Sequence, residues 1–228
     1  MRIVVFDLDD TLVAKEITRE VNERSYGSSL KKLREMGISV PEGLEAYSYN
    51  NLLYMIKEYP LFKEIYLHNY KAYLKQIEEK LKKERNRARG IVDEAIIRYS
   101  PEKIYVVTAN IAGKIVVDEL GLTSMQLVQD VIIVDGSNYV EEKAKVLNEI
   151  KKNGGDNAEV IYVADCPVED GEVARRGGAK FVLVAEFLEN LYLPENMHFD
   201  PFGSSFSPKK PNSDIFNKNF EIKRDLNG

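Results

Sequence analysis

Hydrophobic positions gather into five short runs along the chain: Ile3–Phe6, Ile104–Val107, Val131–Val134, Val160–Val163 and Phe181–Val184. Each is rich in Val, Ile, Phe or Tyr and gives way to polar or small residues. None alternates strictly between apolar and polar, the pattern of strands covered on both faces in a parallel sheet. Between the later runs lie segments of helical length that stop at glycine. These are Ala112–Leu120 before Gly121, Val140–Lys152 before Gly154 and Gly155, and Glu169–Arg176 before Gly177 and Gly178. Strand and helix alternate from 103 to 193. The spacing therefore predicts an α/β fold, a Rossmann-like doubly wound parallel sheet of about five strands.

The first run stands apart from the second, and no comparable β character fills the interval. That stretch reads as helices: Ser29–Met36 closed by Gly37, Glu42–Tyr59 stopped by Pro60, Leu61 to about Arg89, and Ile91–Tyr99 before Pro101. The expected division is an α/β core of residues 1–14 and 101–194 with an α-helical cap domain inserted at 15–100. An irregular or disordered tail, 195–228, follows; it is rich in Asn, Ser, Pro, Phe and Lys and has no periodicity. In the insert, Tyr66, Tyr70 and Tyr73 recur at helical spacing with Phe62 and Ile77. Such a stripe reads as the insert's own core before it reads as a ring-binding pocket. His68 falls off the stripe and is expected to be exposed. Lys80, Lys82, Lys83, Arg85, Arg87 and Arg89 alternate with Glu78, Glu79 and Glu84, as on an ion-paired, solvated helix face.

Composition narrows the partners. The 228 residues are 44% hydrophobic and 30% charged, with a net charge of −5. This acidic balance argues against a general nucleic-acid binder. Cys166 is the single cysteine, so no intrachain disulfide framework exists and a reducing, cytoplasmic location is expected. The apolar run before Asp7 is too short for a signal peptide or a membrane span. A small phosphorylated metabolite is the expected partner, on the chemistry that follows.

Asp7-Leu8-Asp9-Asp10-Thr11 comes directly after the first apolar run. Ligand sites in open α/β sheets form at the carboxyl ends of the strands. Acids crowded there repel one another and lose hydration, which makes a hard cation such as Mg²⁺ their natural companion. Three further groups occupy equivalent places. Thr108 follows the second run, where its hydroxyl and the Ala109 and Asn110 amides could meet phosphate oxygens. Lys143 and Lys145 open the helix after the third run. Asp165, Glu169 and Asp170 follow the fourth.

With these four motifs in this order, the chain resembles the haloacid dehalogenase superfamily, in particular its phosphoserine phosphatase-like members. The resemblance implies Asp7 as nucleophile and Asp9 as general acid/base. It places Thr11, Thr108, Ala109 and Asn110 at the phosphate and selects Lys143 over Lys145. Mg²⁺ would be bound by Asp7, Asp9, Asp165 and a second acid, for which Glu169 and Asp170 both have suitable spacing. Ala164 and Glu169 depart from the phosphoserine phosphatase pattern, which has glycine and aspartate there. The implied activity is Mg²⁺-dependent hydrolysis of a small phosphomonoester. A phosphomutase would use the same intermediate. A receiver-like or inactive phosphate-binding module remains the non-enzymatic alternative, with Asp135 after the third run as a receiver's phosphoacceptor.

Overall fold

A computed structural model describes residues 1–155 and 157–191; the expected tail, 195–228, lies outside them. In chain order the elements are β1 (Arg2–Phe6), α1 (Lys15–Glu35), α2 (Tyr49–Glu58), α3 (Pro60–Gln76), α4 (Glu78–Tyr99), β2 (Lys103–Thr108), α5 (Gly113–Glu119), β3 (Val128–Ile133), α6 (Tyr139–Asn153), β4 (Glu159–Ala164), α7 (Glu169–Gly177), β5 (Lys180–Leu183) and α8 (Ala185–Leu191). The five strands form one all-parallel sheet in the order β3-β2-β1-β4-β5. This is the doubly wound α/β fold. Its order reverses beside β1, which opens a crevice at the carboxyl ends of β1 and β4.

Side chains of β1 alternate between two cores. Ile3 and Val5 join Val160, Tyr162, Leu147 and Val173 under α6 and α7. Val4 and Phe6 join Ile104, Val163, Ile91 and Phe187 on the opposite face. That second cluster continues without a break into the insert through Tyr26, Phe62, Tyr66 and Tyr70. Strand periodicity thus sends odd-numbered β1 residues toward α6 and α7. Asp7 inherits that direction.

The sheet's strands match the apolar runs, with one refinement: β3 is an edge strand, and its Ile133 is substantially exposed. The insert's helices differ more from the sequence reading. The first begins at Lys15, not Ser29, and runs through Ser25, Gly27, Ser28 and Ser29. Those residues have low helix propensity, but Ser25 and Ser29 donate hydroxyl bonds back to the Val21 and Ser25 carbonyls. Burial of Val21, Tyr26, Leu30 and Leu33 then outweighs propensity. Tyr49–Glu58 replaces the longer Glu42–Tyr59. The expected helix from Leu61 to Arg89 is two, broken at Ile77, and the second passes through Gly90 to Tyr99. One glycine costs a helix only about 1 kcal/mol, which burial of Leu81, Ala88, Ile91, Val92 and Ala95 readily exceeds.

The aromatic stripe of α3 is buried as Phe62, Tyr66, Tyr70 and Leu74, one helical ridge. Tyr73 sits beside it, bonded through its hydroxyl to Ser28. His68 is exposed. The basic run is largely ion-paired: Lys80 with Glu20, Arg85 with Glu78 and Glu119, Arg87 with Glu84, Arg89 with Asp93. Among the described residues no helix is long and apolar enough to cross a membrane.

Candidate active site

Past the end of β1 the chain turns sharply. Leu12 and Val13 both donate to the Leu8 carbonyl, Asp10 donates to Val13 O at 2.7 Å, and Asp10 takes a left-handed φ of 57°. Aspartate tolerates that conformation because its short polar side chain can bond locally. Here Asp10 Oδ1 accepts from the Lys15 amide at 2.8 Å, capping the entry to α1. The turn ends the strand's alternation just after Asp7, so Asp7 and Asp9 enter different surroundings.

Asp7 faces α6 and α7. Lys143 Nζ lies 2.9 Å from Asp7 Oδ1 and 3.6 Å from Asp170 Oδ1, and all three side chains are at least nine-tenths buried. Carboxylate oxygens of Asp7, Asp165 and Asp170 fall within 4.8 Å of one another. Tyr162 completes the network from β4: it receives a hydrogen bond from Lys143 at 3.3 Å and donates one to Asp170 at 2.9 Å. The Cys166 amide donates to the other Asp170 oxygen at 3.3 Å. Burial pushes Asp7 up to about 7, against the pull of Lys143 and with a push from Asp170. Burial alone would lower Lys143, yet Asp7 and Asp170 hold it above the usual lysine value. Asp165 is also raised, by burial and then by Asp170 and Asp10. One ammonium among three carboxylates leaves surplus negative charge in a poorly hydrated corner. A set of three hard oxygen donors this close could hold a metal ion, and its chemistry suits Mg²⁺.

The structure distinguishes the two acids that spacing left open. Asp170 is buried in the cluster, whereas Glu169, one residue earlier on α7, accepts a hydrogen bond from the Tyr139 hydroxyl. Tyr139 also lays its ring 5.6 Å from Lys143 Nζ. Lys145 is exposed and pairs with Glu141 and Glu142. Asp135 lies after β3, where its side chain accepts from the Ser137 amide, and it is not a member of the carboxylate cluster.

Asp9 points the other way, toward α1 and the insert. Burial raises its pKa, while hydrogen bonds from Thr18 and Asn110 oppose the shift. Asn110 Nδ2 approaches Asp9 Oδ1 at 3.4 Å, and Asn110 Oδ1 accepts from the Ala112 amide at 3.0 Å. The Asn110 amide itself donates to Thr108 Oγ1 at 3.0 Å. Asn110 was expected to offer that amide to phosphate; in this structure the amide meets Thr108, and the side chain adds a contact with Asp9. Thr108 is buried at the end of β2, accepts that bond, and keeps its own hydroxyl proton to donate. Gly113 makes room for it, since a Cβ there would come within 2.6 Å of Thr108 Cγ2. Ala109 borders the cavity beside Asp9. Thr11 is fully buried, and its hydroxyl has no hydrogen-bond partner among the described residues.

A cavity of about 410 Å³ opens over Asp9, lined by Lys15, Thr18, Arg19 and Asn22 from α1 and by Tyr47, Tyr49 and Leu52 further along the insert. The buried stripe contributes polar tips nearby: Tyr66 donates to Asn22, and the Tyr70 hydroxyl lies by Asn110 and Asp9. Sequence reading missed Tyr162 and the Asn110 side chain. The available signal for Tyr162 was a phenol inside an otherwise aliphatic strand, because a buried hydroxyl needs a partner.

No protein-family model matches the chain, and no curated protein is similar enough to count as a relative. Among solved structures, the UTR4 protein (Unknown transcript 4 protein) of Saccharomyces cerevisiae aligns with 12% identity and a TM-score of 0.47, covering 79% of this chain and 88% of that one. Protein Tyrosine Kinase A (PtkA) of Mycobacterium tuberculosis aligns with 18% identity and a TM-score of 0.38, covering 79% and 82%. Likenesses this loose add nothing to the site geometry.

Proposed function

We propose that the chain is a phosphomonoester hydrolase of haloacid dehalogenase type, with Asp7 as nucleophile and Asp9 as general acid/base. One observation carries this reading. Asp7 shares a buried, switch-point cluster with Lys143, Asp165 and Asp170, while Asp9 sits two residues away beneath the insert with its pKa raised by burial. The first arrangement suits a nucleophile that must meet an anion; the second suits a group that must hold a proton.

In the first step an Asp7 carboxylate oxygen attacks phosphorus, the phosphorus–oxygen bond to the leaving group breaks, and Asp9 gives its proton to the departing oxygen. In the second, water attacks the aspartyl-phosphate, its proton returns to Asp9, and the bond between phosphorus and Asp7 breaks. Lys143 offsets charge on both Asp7 and the phosphoryl oxygens. Thr108 supplies a hydroxyl proton toward those oxygens. Asp7, Asp165 and Asp170 would hold Mg²⁺, whose charge keeps these carboxylates ionised and neutralises phosphate. The insert over Asp9 acts as a lid that excludes water and selects the leaving group. A receiver-like switch fits less well, because its phosphoacceptor after β3, Asp135, stands outside the cluster.

Purified protein is expected to release phosphate from para-nitrophenyl phosphate and to stop when EDTA removes the metal. Absence of Mg²⁺-dependent release from this ester and from a panel of phosphorylated metabolites would sink the reading.

A further inference from the structure

Two cavities meet at one tyrosine of the insert. The first is the space of about 410 Å³ over Asp9. The second, about 500 Å³, is bordered by Leu53, Tyr54 and Lys57 of α2 and by Val134, Asp135 and Ser137 after β3. Tyr49 and Ile111 line both. Of these two, Tyr49 is the member supplied by the insert, at the first position of α2. The helix start is well defined there, since the Ser48 side chain accepts from the Asn51 amide at 3.1 Å.

From that position Tyr49 reaches into the core. Its hydroxyl donates to the Ala109 carbonyl at 3.0 Å, just beyond β2. A Cβ on Gly136 would stand 1.9 Å from the same hydroxyl oxygen and 2.2 Å from two ring carbons. The outer end of the ring therefore lies on bare glycine backbone after β3. A side chain from the insert is seated in a slot between two core loops, held by one hydrogen bond and by the absence of one methyl group.

Resting on the phosphohydrolase reading, we propose that Tyr49 is a specificity-determining wall: it closes the Asp9 cavity at the seam with the second space and bounds the leaving group on that side. Removing the ring joins the two spaces and admits rings that extend across the seam. The wall acts through bulk; the hydroxyl bond only seats it.

The test is the ratio of kcat/KM for 1-naphthyl phosphate to that for phenyl phosphate, measured on the full chain with Mg²⁺. Tyr49→Ala is expected to raise the ratio about tenfold or more, the scale on which apolar pockets discriminate by size. Tyr49→Phe keeps the ring and should leave the ratio unchanged. Gly136→Ala pushes the ring off its seat and should raise the ratio too, with no further effect once Tyr49 is alanine. An unchanged ratio in active Tyr49→Ala overturns the proposal, as does an equal rise in Tyr49→Phe. If Tyr49→Ala does not fold, Gly136→Ala carries the same expectation and the same refutation. A chain with no turnover of any ester would refute the hydrolase reading instead. Calorimetric binding of phenylphosphonate and 1-naphthylphosphonate then reads the same ratio without catalysis, and failure of every variant to bind either, or a ratio that ignores Tyr49, overturns the wall.

Discussion

Asp7 and Asp9 stand two residues apart on one loop, and burial raises the pKa of both. Their neighbours differ in kind. Asp7 is set among charges, with Lys143 at 2.9 Å and two more carboxylates close by. Asp9 has neutral hydrogen-bond partners, Thr18 and the Asn110 amide at 3.4 Å, with Lys15 and Arg19 among the walls of the cavity above it. Desolvation pushes both toward the protonated form, and what opposes it differs. At Asp7 the Lys143 ammonium pulls back toward an ionised nucleophile; at Asp9 hydrogen bonds from Thr18 and Asn110 oppose a stored proton.

The largest test of this contrast replaces each acid in turn. Asp7→Asn is expected to reduce kcat by about 10⁴-fold or more for every ester, as loss of a nucleophile does. Asp9→Asn should cost about 10²–10⁴-fold, and less for para-nitrophenyl phosphate than for an alkyl phosphate, whose leaving oxygen needs the proton more. Equal losses on both esters would remove Asp9 from its role. Next in size is the metal corner. Asp170→Asn should weaken Mg²⁺ binding at least about tenfold, measured from the Mg²⁺ dependence of turnover. Glu169→Gln should change it by less than about twofold, being committed to Tyr139; the reverse order would reassign the ligand.

A smaller effect sharpens the Asp9 side. The Asn110 amide favours the ionised carboxylate and so lowers its pKa. Asn110→Ala must then raise it. Whether proton donation or water activation limits turnover, the pH–kcat limb governed by Asp9 moves to higher pH; a downward shift would refute the contact. Smallest is a pair in the insert. Among the described residues the buried Tyr70 hydroxyl has no well-formed hydrogen bond, whereas Tyr66 donates to Asn22. In urea unfolding Tyr70→Phe should hold or gain stability, and Tyr66→Phe should lose about 1 kcal/mol. Equal losses would break the distinction.

The core was legible because a sheet buried on both faces must write each strand as a continuous apolar run, and because glycines end its crossovers. The insert was less so. Its first helix hides behind serines and Gly27, which only tertiary burial rescues. The residues nominated for chemistry were visible as acids and a lysine at strand ends. Which of Glu169 and Asp170 faces inward was not, since adjacent residues on a helix differ by roughly 100° and the phase of α7 against the sheet is a tertiary fact. Asn110 was legible as a loop amide but not as a side-chain partner of Asp9. That contact joins positions 101 residues apart.

The central place of β1 has a consequence for biosynthesis. Both of its hydrogen-bonded neighbours, β2 and β4, are made after it, with the whole insert translated in between. At ribosomal speeds the strand waits on the order of ten seconds for its partners. During that interval the insert's helices can form by local contacts while β1 has nothing to pair with. The residue proposed to attack phosphorus leaves the ribosome well before the lysine and aspartates that arm it, which are among the last of the core to arrive. A chain truncated before Asp170 would carry the nucleophile without the means to use it.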